Sequence, residues 1–215
     1  MDNLNPIIEA IRAGLEARSA VRDNAIHYSR ELIRHCANSI RAMHRAEFDQ
    51  ARDLLESARA VAVQMVSEAM TYPDVYHAGY TQDALKELVE ARAVYAILLQ
   101  EPIPAPEELG VAVAYPAYLN GLAEAASEMR RAVLDTIRQG NLERGEMLLA
   151  AMDEIYSAMI TIDFPDAVTG GLRRTTDALR AVLERTRGDL TVTKQQEKLR
   201  QALIDFEGRK TYAGQ

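Results

Sequence analysis

The chain has 215 residues, 25 of them basic and 32 acidic, for a formal charge of −7. Hydrophobic residues at 48% and charged residues at 27% are enough for a real core under a charged surface, which excludes intrinsic disorder. Eleven glycines and seven prolines are too few for a β protein with many turns and point to long helices. A length near 200 suits one domain spanning residues 1–215. The single cysteine, Cys36, excludes an intrachain disulfide framework and a Cys-rich zinc site, and reads as an intracellular, cytoplasmic chain. The first twenty residues are interrupted by charges and do not form a signal peptide. No apolar run approaches the roughly 18 residues of a membrane span, so no membrane partner is expected.

From residue 5 to 45, apolar side chains recur at helical spacing: Ile8, Ile11, Leu15, Val21, Tyr28, Leu32, Cys36, Ile40 and Met43. No proline interrupts them after Pro6, which predicts one long helix or two collinear ones. The pattern repeats over about 47–70, through Phe48, Leu54, Leu55, Ala58, Val61 and Met65, and TYPD at 71–74 breaks it. A third helix is predicted over 76–100, and EPIPAPEELG at 101–110 must be a connection. A fourth runs over 116–139 to a C′ glycine at Gly140, and Asn141 caps a fifth over 142–162. The loop DFPDAVTGG leads to a sixth helix over 171–187, ending before Gly188, and Thr191 or Thr193 opens a seventh to about 209. Convincing strand alternation is absent, so the expected fold class is all-α, a bundle of about seven helices.

Charge is unevenly distributed. Residues 1–46 hold seven arginines against five acids, whereas residues 47–110 hold four basic residues against twelve acids. That pattern excludes a wholly basic nucleic-acid binder but leaves room for a local basic face. Arg30, Arg34, Arg41 and Arg45 fall on one stripe of the first helix, and Arg173 and Arg174 open the sixth. Such stripes can touch phosphates without reading sequence; the alternative is structural pairing with the acidic second helix.

Two carboxylate pairs sit in predominantly apolar helices. Glu87 and Glu90 are i,i+3 in KELVEA, and Glu124 and Glu128 are i,i+4 in LAEAASEM. Both spacings put two like charges on one helical face, where they repel unless something offsets them. Four convergent carboxylates would suit Mg²⁺ or Mn²⁺ and could activate a water for attack on a phosphodiester; the alternative is ordinary exposed glutamates. Di-iron chemistry is not expected, because neither helix carries the Glu-x-x-His of such bundles. Cys36, at helical spacing with Leu32 and Ile40, reads as a core thiol.

The segments SRELIRHCANSIRAMHR at 29–45, QDALKELVEA at 82–91, YLNGLAEAASEMRR at 118–131 and GLRRTTDALRAVLERTRGDL at 171–190 resemble the translin superfamily of translin and Trax. The resemblance runs over about residues 20–205 and is closest to a Trax-like member acting as a single subunit type. It implies an all-α fold, assembly into closed hollow homo-oligomers, commonly octamers, and binding of single-stranded RNA or DNA. Trax-type members are Mg²⁺-dependent endoribonucleases, while translin-type members bind without cleaving. The Trax pattern Leu-Gln-Glu-x-x-Glu-Ala is similar to LKELVEA and carries its two glutamates onto Glu87 and Glu90. The next acidic helix of the pattern puts the catalytic aspartate position at Glu124, a methylene longer here, and a second acid at Glu128. The resemblance therefore implies a Mg²⁺ site, with Mn²⁺ as substitute, at the same four glutamates that the spacing singled out. The expected activity is Mg²⁺-dependent cleavage of single-stranded RNA. The rivals are a non-catalytic binder of single-stranded nucleic acid and a purely structural helical oligomer.

Overall fold

A computed structural model describes residues 3–213. Among them there are eight α-helices and no strand: α1 (Leu4–His44), α2 (Phe48–Ala69), α3 (Pro73–Tyr76), α4 (Gly79–Leu99), α5 (Tyr115–Arg138), α6 (Leu142–Met159), α7 (Asp166–Thr169) and α8 (Leu172–Ala213). The proline-rich connection between α4 and α5 holds one 3₁₀ turn, Pro106–Leu109. None of the helices is long and apolar enough to cross a membrane. The chain divides into two compact units, one ending at Ala125 and joined by Phe164–Leu172, the other made of Ala126–Asp163 and the residues from Arg173 onward.

In the first unit, α1 is a single helix of 41 residues that packs against α2 and α4. Its buried face starts at Ala25 and continues through Ser29, Leu32, Cys36, Ser39 and Met43. The Ser39 hydroxyl donates to the Ala51 carbonyl at 2.8 Å, which satisfies a polar group inside this helix contact. Ile8, Ile11 and Leu15 continue the apolar periodicity toward the N-terminus, yet they are 44%, 53% and 59% exposed. They form a surface stripe, not core. Pro73 sits in the first turn of the short α3, where its missing N–H removes nothing a helix would use. Small residues on α4 and α5, including Ala84, Ala91, Ala93, Ala117, Ala123 and Ala125, are buried and keep those helices slim. The Asn120 amide donates to the carbonyls of Pro116 at 2.8 Å and Thr169 at 3.0 Å, tying the returning segment to α5.

In the second unit, Met129, Val133, Leu148, Met152, Ile155, Leu179, Leu183 and Leu190 form the core. The turn after α5 follows the expected chemistry. Gly140 has φ of 73°, and the Asn141 side chain accepts the backbone N–H of Arg144 at 3.1 Å. The expected break at Gly188 does not occur, because α8 runs without interruption from Leu172 to Ala213. A glycine in a helix interior costs about 1 kcal/mol relative to alanine, and local packing outweighs it. Leu183, Thr186 and Leu190 are buried on either side of Gly188. Arg130 on α5 donates to Thr186 at 3.1 Å and to Asp189 at 2.8 Å, and Arg187 pairs with Asp153 at 2.8 Å.

Candidate functional site

The segment that carries Glu87 and Glu90 is buried nearly all round. Ala84, Leu85, Leu88, Val89 and Ala91 are all inside, so the two glutamates leave α4 between rows of core residues and are only half-buried themselves. The first stretch of α5 crosses α4 at Gly121. A Cβ built there would lie 2.7 Å from the Lys86 carbonyl oxygen and 2.8 Å from the Val89 Cβ, so only glycine permits this approach. One turn beyond the crossing is Glu124. The result is a cluster in which oxygens of Glu87, Glu90 and Glu124 all lie within 4.8 Å of one another.

A fourth group completes the cluster. The Lys86 ammonium lies 2.8 Å from Oε1 and 2.7 Å from Oε2 of Glu124, and 3.8 Å from Glu87 Oε1. Burial by itself would lower the pKa of this lysine. The hydrogen bond and charge of Glu124, with Glu87 and Asp83, outweigh that and hold it above the ordinary value. Burial pushes the Glu87 carboxyl up; Lys86 pulls it down, and the charges of Glu124 and Asp83 add to the rise. Beneath the cluster, Cys36 on α1 is fully buried. Burial raises its thiol pKa, and the charges of Glu87 and Glu90 raise it further. It is a core thiol and not a nucleophile.

Three carboxylates carry a charge of −3 when ionised, and one ammonium leaves −2. Such an all-oxygen donor set, half-open to solvent, fits a hard divalent cation of the Mg²⁺ or Mn²⁺ kind with waters completing its shell. Glu87, Glu90 and Glu124 could hold it. Glu128, one turn further along α5, is half-buried, falls past Ala125 and is outside the three-carboxylate group.

The six arginines are all exposed. Arg34 lies 3.9 Å from Glu31, Arg41 donates to Asn38 at 2.7 Å, and Arg45, just past the helix, pairs with Glu47 at 2.6 Å. These partners are close in sequence, and Arg45 also donates to Gln50 in the first turn of α2 at 3.4 Å. Arg30, Arg34 and Arg41 stand roughly 120–160° around α1 from Cys36. The basic stripe therefore faces away from the side of α1 that meets Glu87 and Glu90. Arg173 and Arg174 occupy the first turn of α8. Lys86 and Gly121 were missed as site residues. The signals were present: a lysine where the Trax pattern has glutamine, and a glycine inside the small-residue run LNGLAEAA.

No family model matches the chain. The chain is 32% identical over 204 residues to the uncharacterized protein MJ0175 of Methanocaldococcus jannaschii, covering 94% of this chain and 88% of that protein. Among solved structures it is similar to AfC3PO, seen both in a crystal structure of AfC3PO and in a complex with duplex RNA. Identity is 32%, the TM-score is 0.79, and the match covers 87% of this chain and 96% of AfC3PO. It also resembles apo-NeC3PO at 24% identity, with a TM-score of 0.73 and coverage of 90% and 98%, a likeness that bears on the fold.

Proposed function

Since the chain belongs to the translin/C3PO family, we propose that it binds RNA and cleaves it with a divalent cation held by Glu87, Glu90 and Glu124. The observation that carries this reading is the meeting of those three carboxylates at the Gly121 crossing. They are three of the four glutamates on which the Trax resemblance falls. The RNA part is supported by 32% identity to AfC3PO, which has been solved with duplex RNA.

A bound Mg²⁺ would supply Lewis acidity, activating water and offsetting charge on the phosphate. The chain's own residues do the rest. Glu87, Glu90 and Glu124 hold their oxygens on rigid helices, and the close crossing fixes the distance between them. Leu88, Val89 and Ala123, next to these glutamates in sequence, are buried, and apolar surroundings strengthen electrostatics. Glu128 extends the acidic row along α5. The exposed Arg30, Arg34, Arg41, Arg45, Arg173 and Arg174 bind phosphates without reading bases, with salt-sensitive affinity, the α1 stripe doing so on the side away from the cluster. Nine tyrosines, three phenylalanines and no tryptophan leave few stacking platforms, in keeping with weak sequence preference.

The active form is a closed homo-oligomer, an octamer by family resemblance. Leu4, Ile7, Ile8, Ile11 and Leu15 on α1 supply exposed apolar surface for contacts between copies, as do Leu199, Leu203 and Phe206 on α8. A second reading, binding without cleavage, is favoured by one observation: Lys86 already offsets part of the carboxylate charge.

The test is incubation of the purified chain with labelled single-stranded RNA, single-stranded DNA and duplex RNA. Each is run with Mg²⁺, Mn²⁺ or EDTA, beside a Glu90→Gln/Glu124→Gln double variant. Metal-dependent cleavage that the double variant loses while still binding RNA is the expected result. RNA bound but left intact moves the reading to the non-catalytic binder, and equal cleavage by the variant overturns the site.

A further inference from the structure

We propose that Lys86 is a tethered counter-ion that holds Glu124 and Glu87 in the metal-free protein and competes with the divalent cation for them, an inference that rests on the metal reading above. The ammonium is placed symmetrically on Glu124, 2.7 Å and 2.8 Å from its two oxygens, and reaches to 3.8 Å from Glu87. Both oxygens of Glu124 are thus engaged by a cation that belongs to the chain itself. The lysine is only 21% exposed at its side chain, compared with 33% for Glu124 and 27% for Glu87, so the contact is partly shielded from water and salt.

Backbone geometry explains why the lysine can do this. Gly121 brings α5 over the Lys86 carbonyl, and Glu124 lies one turn further on, within reach of the Lys86 stem. A substituted residue 121 would widen the crossing and take Glu124 away from the ammonium.

Loading the site would require Glu124 to exchange its ammonium for the metal. The freed ammonium remains beside the cluster on its four-carbon stem. Three glutamates, Lys86 and one divalent cation then sum to zero charge. Metal occupancy is weakened by the displacement step, and the empty site is protected from the mutual repulsion of its acids.

The experiment is a Mn²⁺ titration of the full-length, RNA-free chain, following free Mn²⁺ by electron paramagnetic resonance, with thermal melts with and without Mn²⁺. Wild type is compared with Lys86→Gln and Lys86→Arg. Lys86→Gln is expected to bind Mn²⁺ roughly two- to fivefold more tightly, the displacement of one partly exposed ion pair. It should melt below wild type without metal and show the larger metal-induced rise. Lys86→Arg, which keeps the charge, should retain wild-type affinity and confirm that the position tolerates change. Equal Mn²⁺ affinity in wild type and Lys86→Gln, with both binding, overturns the role of Lys86 while the metal site stands. A melting point lowered by the same amount with and without Mn²⁺ reduces Lys86 to a structural ion pair and overturns the competition. No Mn²⁺ binding by any of the three proteins overturns the metal site and, with it, this proposal.

Discussion

Substituting Gly121→Ala tests the crossing that assembles the acidic cluster. The added Cβ would meet the Lys86 carbonyl oxygen at 2.7 Å, the Val89 Cβ at 2.8 Å and its Cγ1 at 3.0 Å, where ordinary contacts begin near 3.4 Å. The shortfall is against backbone and against a β-branched side chain, neither of which can swing aside, so α5 must move away from α4 by about 0.5–1 Å. Overpacking of this kind costs about 1–3 kcal/mol. Alanine returns about 1 kcal/mol through its better helix propensity, so the net loss is about 0–2 kcal/mol. The same displacement lengthens the Lys86–Glu124 contact and spreads the carboxylates, so divalent-cation affinity should fall together with stability. Urea denaturation read by circular dichroism, with a parallel Mn²⁺ titration, measures both. If Gly121→Ala is stabilised by about 1 kcal/mol, as an unobstructed helix glycine would be, and binds Mn²⁺ unchanged, the crossing does not set the cluster.

Gly188→Ala is the matched control: nothing lies within 4 Å of its built Cβ and α8 is continuous there, so stability should rise by about 0.5–1 kcal/mol in the same urea assay. A loss instead would place a left-handed turn at 188. Cys36 should resist a thiol reagent in the folded chain at pH 8–9 and react fully once unfolded, measured by the absorbance of the released thiolate. The sign of the accompanying linkage follows from its raised pKa. Above the ordinary 9.0 the unfolded thiol ionises while the folded one keeps its proton, so this residue's contribution to stability declines as pH climbs past about 9. A Cys36→Ala variant should lack that component, and an unchanged alkaline slope would contradict the buried placement.

Helix positions were legible because they depend on local chemistry. The apolar period of α2, the prolines at 102–106, and the Gly140–Asn141 stop and start all act over a few residues, and the structure follows them. The i,i+3 spacing of Glu87 and Glu90 is equally local. That Glu124 meets them is not: it stands more than thirty residues beyond Glu90 in sequence, and periodicity says nothing of which faces cross. The resemblance to a family supplied that link, and Gly121 supplies its physical cause. The pairing of Lys86 with Glu124 was illegible for the same reason, since the two are 38 residues apart, although the lysine itself stands out against the Trax pattern. One ambiguity and one misreading have different origins. Ile8, Ile11 and Leu15 show that an apolar stripe is the same pattern whether it faces a core or solvent. Gly188 shows that a weak intrinsic preference yields to buried Leu183, Thr186 and Leu190 around it.

The hydrogen bond from Asn120 to the Thr169 carbonyl has a consequence for synthesis on the ribosome. It joins residues 49 apart, and Phe164–Leu172 belongs to the first unit although Ala126–Asp163 does not. At translation rates of roughly 5–20 residues per second, Asn120 waits roughly 2–10 s after emerging before its acceptor exists. During that interval α1, α2 and α4 can pack, but the unit that carries the glutamates stays unfinished. Most of the chain must therefore leave the ribosome before the first unit, which carries the acidic cluster, is complete.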